Sequence, residues 1–318
     1  MTVTNTDAGR VFRPSVKQTG VKAHRRLTTP GFSGRVISVG SRAVYMTTED
    51  AELLAACPMD QQPHPRSFLT DLDLRSLRVG LRAWTEGNEL LFSNEVSLEL
   101  TGSEIWYRSS AVPPCVAPLQ TLRSRIDDLA QAAQYSHDGE NLGLALPWFV
   151  PGAESPALPS ALENISPLII SGVEKVTGSL PICRDGDLDE VLPVLEQLIG
   201  LGPGLTPSGD DFVGGLLFMV RHLNAAYPQE GWWRGGDVRG LLARSEKMTS
   251  QISHTLLSDL IEGQSHESLH DLAEDLVVDG QEFDAAYHIR RVTQIGQSSG
   301  WDLLTGMLAG LLPVIDRP

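Results

Sequence analysis

Apolar residues follow two different periods in the two parts of this chain. Between about residues 31 and 112, short β-leaning runs are separated every few residues by Gly, Pro, Ser or Asn. This spacing is typical of a compact domain built from short strands. The runs lie within residues 35–46, 76–84, 89–92, 96–100 and 104–107. We therefore predict a β-rich domain, a small barrel or sandwich, over residues 29–117.

From residue 118 onwards, apolar residues recur at three- and four-residue intervals, which is the period of amphipathic helices. Helices are predicted over 119–135, 187–199, 208–224, 237–245, 247–263, 266–278, 281–295 and 299–312. Pro193 falls inside the second of these helices and is expected to bend it, and Gly200 is expected to end it. The predicted fold class is α+β, with a mainly α-helical domain over residues 118–318.

The first 28 residues are polar, basic and without an apolar period. Their cationic residues are Arg10, Arg13, Lys17, Lys22, Arg25 and Arg26, against the single acid Asp7. We interpret residues 1–28 as a basic, mobile arm. A targeting peptide is the alternative, and the weak helical amphipathicity of the segment argues against it.

Composition narrows the classes of function. The formal net charge of −15 argues against a nucleic-acid-binding surface, which needs basic patches. Cys57, Cys115 and Cys183 lie far apart, so they predict neither a zinc site nor a disulfide framework and favour a cytoplasmic location. No apolar run approaches the ~18 residues that cross a bilayer, so we expect no membrane span.

The most unusual segment is the signature loop, residues 200–209, which reads GLGPGLTPSG and leads into Asp210 and Asp211. Glycine allows positive φ and close approach to a ligand, whereas proline stiffens the same loop. A helix that begins here would direct backbone N–H groups toward an anion. The candidate ligand-binding residues of the loop are Gly202, Gly204, Thr206, Ser208 and Gly209.

The two carboxylates leave several interpretations open. The loop has no Lys after its glycines and lacks dinucleotide-fingerprint spacing, so it is neither a Walker A loop nor a Rossmann turn. Asp210 and Asp211 would repel a bare anion. Either one of them only caps the helix, or both bind a divalent cation such as Mg²⁺, or they accept hydrogen bonds from an NH₂ group.

A second copy of the motif opens the last predicted helix. When Ser299 is set on Ser208, Asp302 falls on Asp211 and Gly306 falls on Gly215. If the two helices pack through their glycines, both Asp side chains converge on one pocket. This hypothesis adds Asp302 as a candidate catalytic residue. It also adds three candidate ligand-binding residues, Ser298, Ser299 and Gly300.

A third polar segment, residues 248–254, begins another predicted helix. Thr249, Ser250 and Ser253 are its candidate ligand-binding residues. Hydroxyls without an adjacent base act more often as hydrogen-bonding groups than as nucleophiles. His266 and His270 stand four residues apart, as some metal ligands do, but their polar surroundings predict a solvated helix face instead.

The three motifs, in this order, resemble a bacterial family that includes the AllH-type subunit of oxamate carbamoyltransferase, from anaerobic allantoin breakdown. The resemblance extends over roughly residues 30–315. It implies a cytoplasmic subunit of a multicomponent enzyme, with FdrA-type and AllG-type subunits as partners. The implied reaction interconverts oxalurate plus phosphate with oxamate plus carbamoyl phosphate.

The resemblance also implies roles for the residues named above. The signature loop would hold an anionic group, and Asp210, Asp211 and Asp302 would orient an NH₂ group or bind Mg²⁺. Few basic residues lie in the motifs, so a partner subunit is expected to supply positive charge. Two alternatives remain open at this point, a non-catalytic metabolite-binding or scaffold subunit and a Mg-dependent acyl-phosphate enzyme. Whether the chain forms a homo-oligomer is also open.

Overall fold

The computed structural model describes residues 14–108, 115–139, 141–150 and 165–316 of the chain. The chain divides into two compact units, Met1–Tyr107 and Arg108–Pro318. The first unit is built on a sheet and the second on helices. The predicted α+β fold class is confirmed. The boundary between the units falls at residue 107, ten residues before the end of the predicted β-rich domain.

The first unit contains one curled sheet. Its strands are β1 (Val16–Gly20), β2 (Ser33–Val39), β3 (Val44–Thr48), β4 (Leu53–Pro58), β5 (Ser67–Thr70), β6 (Arg82–Glu86), β7 (Glu89–Phe92), β8 (Ser97–Glu99) and β9 (Glu104–Trp106). Their order is β8-β7-β6-β2-β3-β4-β5-β1-β9. An isolated parallel bridge joins Ser15 to Glu99 and draws β8 toward β1. The sheet therefore forms a half-barrel.

Alternating burial places one face of this sheet around a core. In β3, Val44, Met46 and Thr48 are buried, whereas the residues between them are partly exposed. Phe68 of β5 and Phe92 of β7 belong to the same core. The pattern of β-leaning runs in the sequence thus identified β2, β3 and β6–β9. It missed β4 and β5, in which all residues but the last of β4 are buried, so that they show no alternation.

The interpretation of residues 1–28 as a mobile arm is wrong for residues 14–28. This segment forms β1 and the helix α1 (Val21–Leu27), in which Val16, Ala23 and Leu27 are buried. A Cβ at Gly20 would lie 2.0 Å from the carbonyl oxygen of His64, so the chain packs tightly here. Elements this short show no recognisable period among basic residues. Residues 1–13 lie outside the described residues.

The second unit is helical. Its helices are α2 (Leu119–Ser136), α3 (Pro167–Asp185), α4 (Leu188–Glu196), α5 (Ser208–Ala226), α6 (Val238–Ser245), α7 (Gln251–Ile261), α8 (Glu267–Val277), α9 (Ala285–Val292) and α10 (Ser299–Asp316). A 3₁₀ segment, Leu142–Phe149, precedes α3. The predicted helices are present, with α7 and α9 starting four residues late. Ser250 and Asp284 cap these two helices.

Helix α5 occupies the centre of this unit. Residues 208–220 of α5 are all buried. Residues 302–314 of α10 are also all buried. Of the two histidines predicted on a solvated face, His266 is partly buried and His270 is buried. His270 is 4% exposed and forms an edge-to-face contact with Phe218, 5.3 Å between ring centroids. That prediction is wrong, because the neighbouring acidic residues concealed an apolar stripe on α8.

The predictions on membrane spans and on the cysteines can be compared with the structure. Across the described ranges, no helix combines the length and the apolarity needed to span a membrane. Cys57, Cys115 and Cys183 are free thiols, of which only Cys115 is exposed.

Candidate functional site

The first turns of α5 and α10 meet at a very close helix crossing. A Cβ added to Gly306 would lie 2.0 Å from the carbonyl oxygen of Phe212, and one added to Gly215 would lie 2.2 Å from that of Leu303. Only glycine fits at either position, because real side-chain carbons do not approach a carbonyl so closely. The small residues therefore bring Asp211 and Asp302 into one site, as the repeated motif predicted.

The crossing is reciprocal. Phe212 and Leu303 are equivalent positions in the two copies of the motif, as are Gly215 and Gly306. The hydroxyl of Ser299 lies beside Asp211, and the hydroxyl of Ser208 lies beside Asp302. The serine of each copy of the motif thus interacts with the aspartate of the other copy. The similarity between the two stretches of sequence corresponds to an approximate two-fold arrangement of the helix starts.

Asp302 is fully buried at this crossing. One of its oxygens, Oδ1, accepts a hydrogen bond of 2.8 Å from the backbone N–H of Leu142. The other oxygen, Oδ2, has no hydrogen-bond partner in the described part of the chain. Burial raises the pKa of Asp302 to about 7, against the opposing effects of the Leu142 N–H and the Ser208 hydroxyl. Near neutral pH, this carboxyl is therefore partly protonated.

Asp211 is the more accessible member of the carboxyl pair, Asp211 and Asp302, with 7% of its surface exposed. Burial raises its pKa well above the usual value, and the negative charge of Asp302 adds to this effect. The hydroxyls of Ser299 and Thr206 oppose the shift. Its Oδ2 is buried and, among the described residues, has no hydrogen-bond partner. The carboxyl pair therefore retains protons at a pH where ordinary aspartates are ionised.

Asp210 has a different environment, although it is adjacent in sequence. Its Oδ1 accepts a hydrogen bond of 2.5 Å from the N–H of Gly200, and its Oδ2 accepts hydrogen bonds from the hydroxyls of Ser253, at 2.5 Å, and Thr249. Burial raises its pKa, while these three donors act in the opposite direction. The bonds tie the signature loop, α5 and the start of α7 together, which is a structural role.

The signature loop contains three glycines with positive φ: Gly200 at 77°, Gly202 at 121° and Gly204 at 97°. These values are unfavourable for residues with a side chain. Gly209 is required for a different reason, since a Cβ there would lie 1.9 Å from the carbonyl oxygen of Leu198. Gly202 and Gly204 thus shape the loop, whereas Gly209 permits packing against the preceding helix.

Some backbone donors of the loop remain available. Among the described residues, the N–H groups of Gly204, Leu205 and Thr206 donate no hydrogen bond. By contrast, the N–H of Gly209 donates to the carbonyl of Leu201 at 2.9 Å. The tip of the loop therefore offers free N–H donors, and the hydroxyl of Thr206 in the same loop lies beside Asp211.

Two hydroxyl contacts hold the loop to its neighbours. Thr206 Oγ1 and Ser299 Oγ lie 3.0 Å apart and connect the loop to α10. The Ser250 hydroxyl donates a 2.9 Å hydrogen bond to the carbonyl of Leu205 and also caps α7 by accepting from the N–H of Ser253. The Ser250 hydroxyl thus both donates and accepts a hydrogen bond within the protein.

The remaining predicted residues serve the helix start. The carbonyl of Ser298 accepts from the N–H groups of Trp301, at 3.0 Å, and Asp302, at 3.3 Å. Gly300 is buried, and a Cβ there would lie 2.2 Å from the carbonyl oxygen of Val292. We therefore assign Gly300 to packing, like Gly209. Ser298 is partly exposed, and ligand binding by Ser298 and Gly300 stays a prediction.

One side of the site, around Asn141, was not predicted from the sequence. Asn141 Oδ1 accepts hydrogen bonds from the N–H of Gly143, at 2.8 Å, and from His137 Nε2, at 3.1 Å. The His137 ring contacts Trp301 edge-on, with 5.0 Å between ring centroids. This turn presents the Leu142 N–H to Asp302. Leu142 lies 160 residues before Asp302 in the sequence. The only feature of the sequence near this turn that could have indicated it is the apolar run that follows.

A metal at this site remains a prediction. Within the described ranges, no group of three or more His, Cys, Asp or Glu side chains is arranged to hold a metal ion. Both oxygens of Asp210 already accept hydrogen bonds. Of the two residues predicted to bind Mg²⁺, only Asp211 retains an oxygen without a partner.

Residues 198–311 match the family model described as oxamate carbamoyltransferase subunit AllH. The matched range contains the signature loop, the α7 start and the α10 start. It is shorter than the range of about 30–315 over which the sequence resemblance was expected to extend. The match confirms the resemblance and supports membership of the chain in the AllH family. No solved structure matches the chain.

Proposed function

We propose that this AllH-family chain is the subunit of a carbamoyltransferase that binds the carbamoyl-bearing metabolite between its signature loop and its carboxyl pair. The observation that carries this proposal is the pair itself. Asp211 and Asp302 are both buried, and each has one oxygen without a partner among the described residues. Buried carboxyl oxygens without partners are costly in a purely structural role.

The raised pKa values remove an electrostatic objection to this site. Oxalurate, oxamate, phosphate and carbamoyl phosphate are all anions, and two ionised aspartates would repel them. Because burial raises the pKa of Asp302 to about 7 and that of Asp211 well above its usual value, the pair carries a reduced charge. The free N–H groups at the loop tip then stabilise an anionic oxygen.

The proposed reaction requires the transfer of one proton. When phosphate attacks the carbamoyl carbon of oxalurate, a P–O–C bond forms and the C–N bond to the oxamate nitrogen breaks. The departing nitrogen takes up a proton, and the attacking phosphate loses one. A carboxyl pair that shares protons near neutral pH is suited to accept and donate in this exchange. It would also hold the carbamoyl NH₂ group through its unpartnered oxygens.

The positive charge for phosphate binding is assigned to a partner. The groups that shift the pKa of Asp211 and Asp302 are carboxylates, hydroxyls and a backbone N–H, without a lysine or arginine. Transfer of a phosphorylated group needs such charge in the transition state. We propose that an FdrA-type or AllG-type subunit supplies it, so that activity requires the assembled enzyme.

The test uses the reconstituted complex and measures carbamoyl phosphate formation from oxalurate and phosphate. Asp211→Asn and Asp302→Asn are expected to lower kcat by at least about 100-fold, because Asn cannot accept and donate a proton. Both variants should keep a Tm close to that of the parent, since Asn imitates the protonated, neutral carboxyl. Parental kcat in both variants would contradict the proposal.

Two control variants separate chemistry from folding. Asp237→Asn changes a helix cap on α6, far along the chain from the site, and should leave kcat unchanged. Asp210→Asn places an NH₂ group against the donors from Gly200, Thr249 and Ser253, so it should lower the Tm. A loss of Tm in Asp211→Asn as large as that in Asp210→Asn would assign Asp211 a structural role as well.

A second candidate function is supported by the full burial of Asp302, with 0% exposure. A carboxyl group that solvent does not reach also suits a subunit that binds the metabolite without reacting it. Calorimetric titration of the chain alone with oxalurate, followed by turnover assays with and without partners, separates the two. Repeating turnover after chelation with EDTA tests the remaining alternative, a Mg-dependent acyl-phosphate enzyme.

A further inference from the structure

A second concave site lies at the other end of α5 from the signature loop. It is a pocket of about 570 Å³ between α5, α6 and the end of α7. The volume falls within the range of small-molecule sites. Its apolar wall includes Leu217, Val220, Val238 and Ile261. Arg221 lies ten residues after Asp211, about 15 Å along the helix, so this pocket is separate from the carboxyl pair.

The pocket is also lined by two arginines, Arg221 and Arg239. In the part of the chain that the structure describes, neither guanidinium forms an ion pair or hydrogen bond. Several other arginines do pair with carboxylates, namely Arg26, Arg75, Arg108, Arg244 and Arg291. Both side chains are exposed, so their guanidinium groups are free to contact an anion at the pocket.

The pocket lining adds hydrogen-bond acceptors. His222 Nδ1 lies 2.9 Å from the carbonyl oxygen of Phe218, so Nδ1 carries the proton and Nε2 is the acceptor of the neutral ring. Burial lowers the pKa of His222, which keeps the ring neutral at pH 7. The Asn224 amide donates to the carbonyl of Trp233 at 3.3 Å, which leaves its oxygen as an acceptor.

We propose that this pocket binds a small organic anion, a carboxylate or phosphate monoester on an apolar body. Arg221 and Arg239 contact the anionic group, and the wall formed by Val220 and Val238 contacts the carbon skeleton. Guanidinium groups suit both anions because their planar donors match two oxygens at once. The pocket is a second ligand site, independent of the proposed carbamoyl transfer at the signature loop.

The experiment uses the full chain and phenyl phosphate as a probe, with calorimetric titration at low ionic strength. Phenyl phosphate combines both features of the proposed ligand. Phenol and inorganic phosphate, which each have one feature, should bind at least about 10-fold more weakly. Arg221→Gln and Arg239→Gln should each weaken phenyl phosphate binding by about 10-fold or more. Ala225→Trp should abolish it by filling the pocket without a change of charge.

Matched variants make the result specific. Arg290→Gln removes the same charge from the exposed face of α9 and should leave the Kd unchanged. Thr206→Val changes the signature loop and should also leave it unchanged, which excludes binding of the probe at the carboxyl pair. The proposal is overturned if phenyl phosphate does not bind at millimolar concentration. It is equally overturned if Arg221→Gln, Arg239→Gln and Ala225→Trp all bind it like the parent.

Discussion

Three aspartates in one site differ in what surrounds each carboxylate. Asp210 has donors on both oxygens, whereas Asp211 and Asp302 each keep one oxygen without a partner among the described residues. A fully bonded carboxylate contributes to structure, and an incompletely bonded one is available for a ligand. Adjacent residues such as Asp210 and Asp211 thus acquire different roles because successive positions of a helix point in different directions.

The raised pKa of Asp302 predicts that stability depends on pH. The pKa of Asp302 is about 7 in the folded protein against 3.8 for an ordinary aspartate, so the folded state binds the proton more tightly. The resulting stabilisation is present at low pH and is lost as pH rises from about 4 through 7. Between pH 6 and pH 8, the free energy of unfolding should fall by about 1–2 kcal/mol from this group.

Chemical denaturation of the parent and of Asp302→Asn at both pH values measures this effect. The variant lacks the titrating group, so its free energy of unfolding should fall less between pH 6 and pH 8. The informative quantity is the difference between the two proteins, because groups that do not interact with Asp302 titrate equally in both. Asp211, whose pKa the charge of Asp302 raises, contributes to the same difference. Identical pH dependence in parent and variant would show that Asp302 has an ordinary pKa.

At the level of elements, glycine determines how closely α5 and α10 approach. The carbonyl oxygens of Phe212 and Leu303 occupy the space that side chains at Gly306 and Gly215 would need. The backbones must therefore meet directly. This close approach sets the separation of Asp211 and Asp302, and with it the strength of their electrostatic coupling.

Gly306→Ala should consequently be strongly destabilising. The new Cβ would overlap a backbone carbonyl that has no rotamer by which to move, so we expect a loss of about 3 kcal/mol. In a domain of this size that corresponds to a decrease in Tm of roughly 10 °C. Gly178→Ala on α3 is the matched control, because nothing lies within 4 Å of its Cβ position. This control should stabilise the protein by up to about 1 kcal/mol. Equal effects in the two variants would contradict the close packing.

Considered as a whole molecule, the protein has two main cores with no residue in common. One surrounds Phe68 inside the half-barrel, and the other surrounds Phe212 among the helices. The candidate site and the second pocket both lie in the helical unit, so the described ligand-binding features are confined to residues 108–318. Each core consequently stabilises its own unit.

Separate cores predict separate responses to a core mutation. Phe68→Ala leaves a cavity in the half-barrel and should destabilise that unit by about 3–5 kcal/mol. Differential scanning calorimetry should show the corresponding transition shifted to lower temperature, while the transition of the helical unit stays in place. For Gly306→Ala, the transition of the helical unit should shift to lower temperature, while the transition of the half-barrel stays in place. A single transition that moves equally in both variants would show that the units unfold together.

Much of the helical unit was predictable from sequence, because its helices have clear apolar periods. The caps Ser250 and Asp284 were not recognised, so the starts of α7 and α9 were predicted four residues early, and α3 was not predicted as a separate helix. The half-barrel was predictable only in part. β4 and β5 are buried throughout most of their length and lack alternation, and α1 is too short to show a helical period. His270 was wrongly predicted to be solvent-exposed, because the acidic residues around it made the apolar side of α8 hard to recognise in the sequence.

For the candidate site, the local motifs were sufficient to locate the glycines, the starts of α5 and α10 and the three aspartates, because conformational demands such as positive φ and helix capping act over a few residues. The roles of those aspartates depended on contacts across long stretches of chain. The bond from Leu142 to Asp302 spans 160 positions, and that from Thr249 to Asp210 spans 39. Burial and charge coupling, which set the pKa of each carboxyl, arise from such distant neighbours. They therefore became visible only when the folded chain brought those neighbours together.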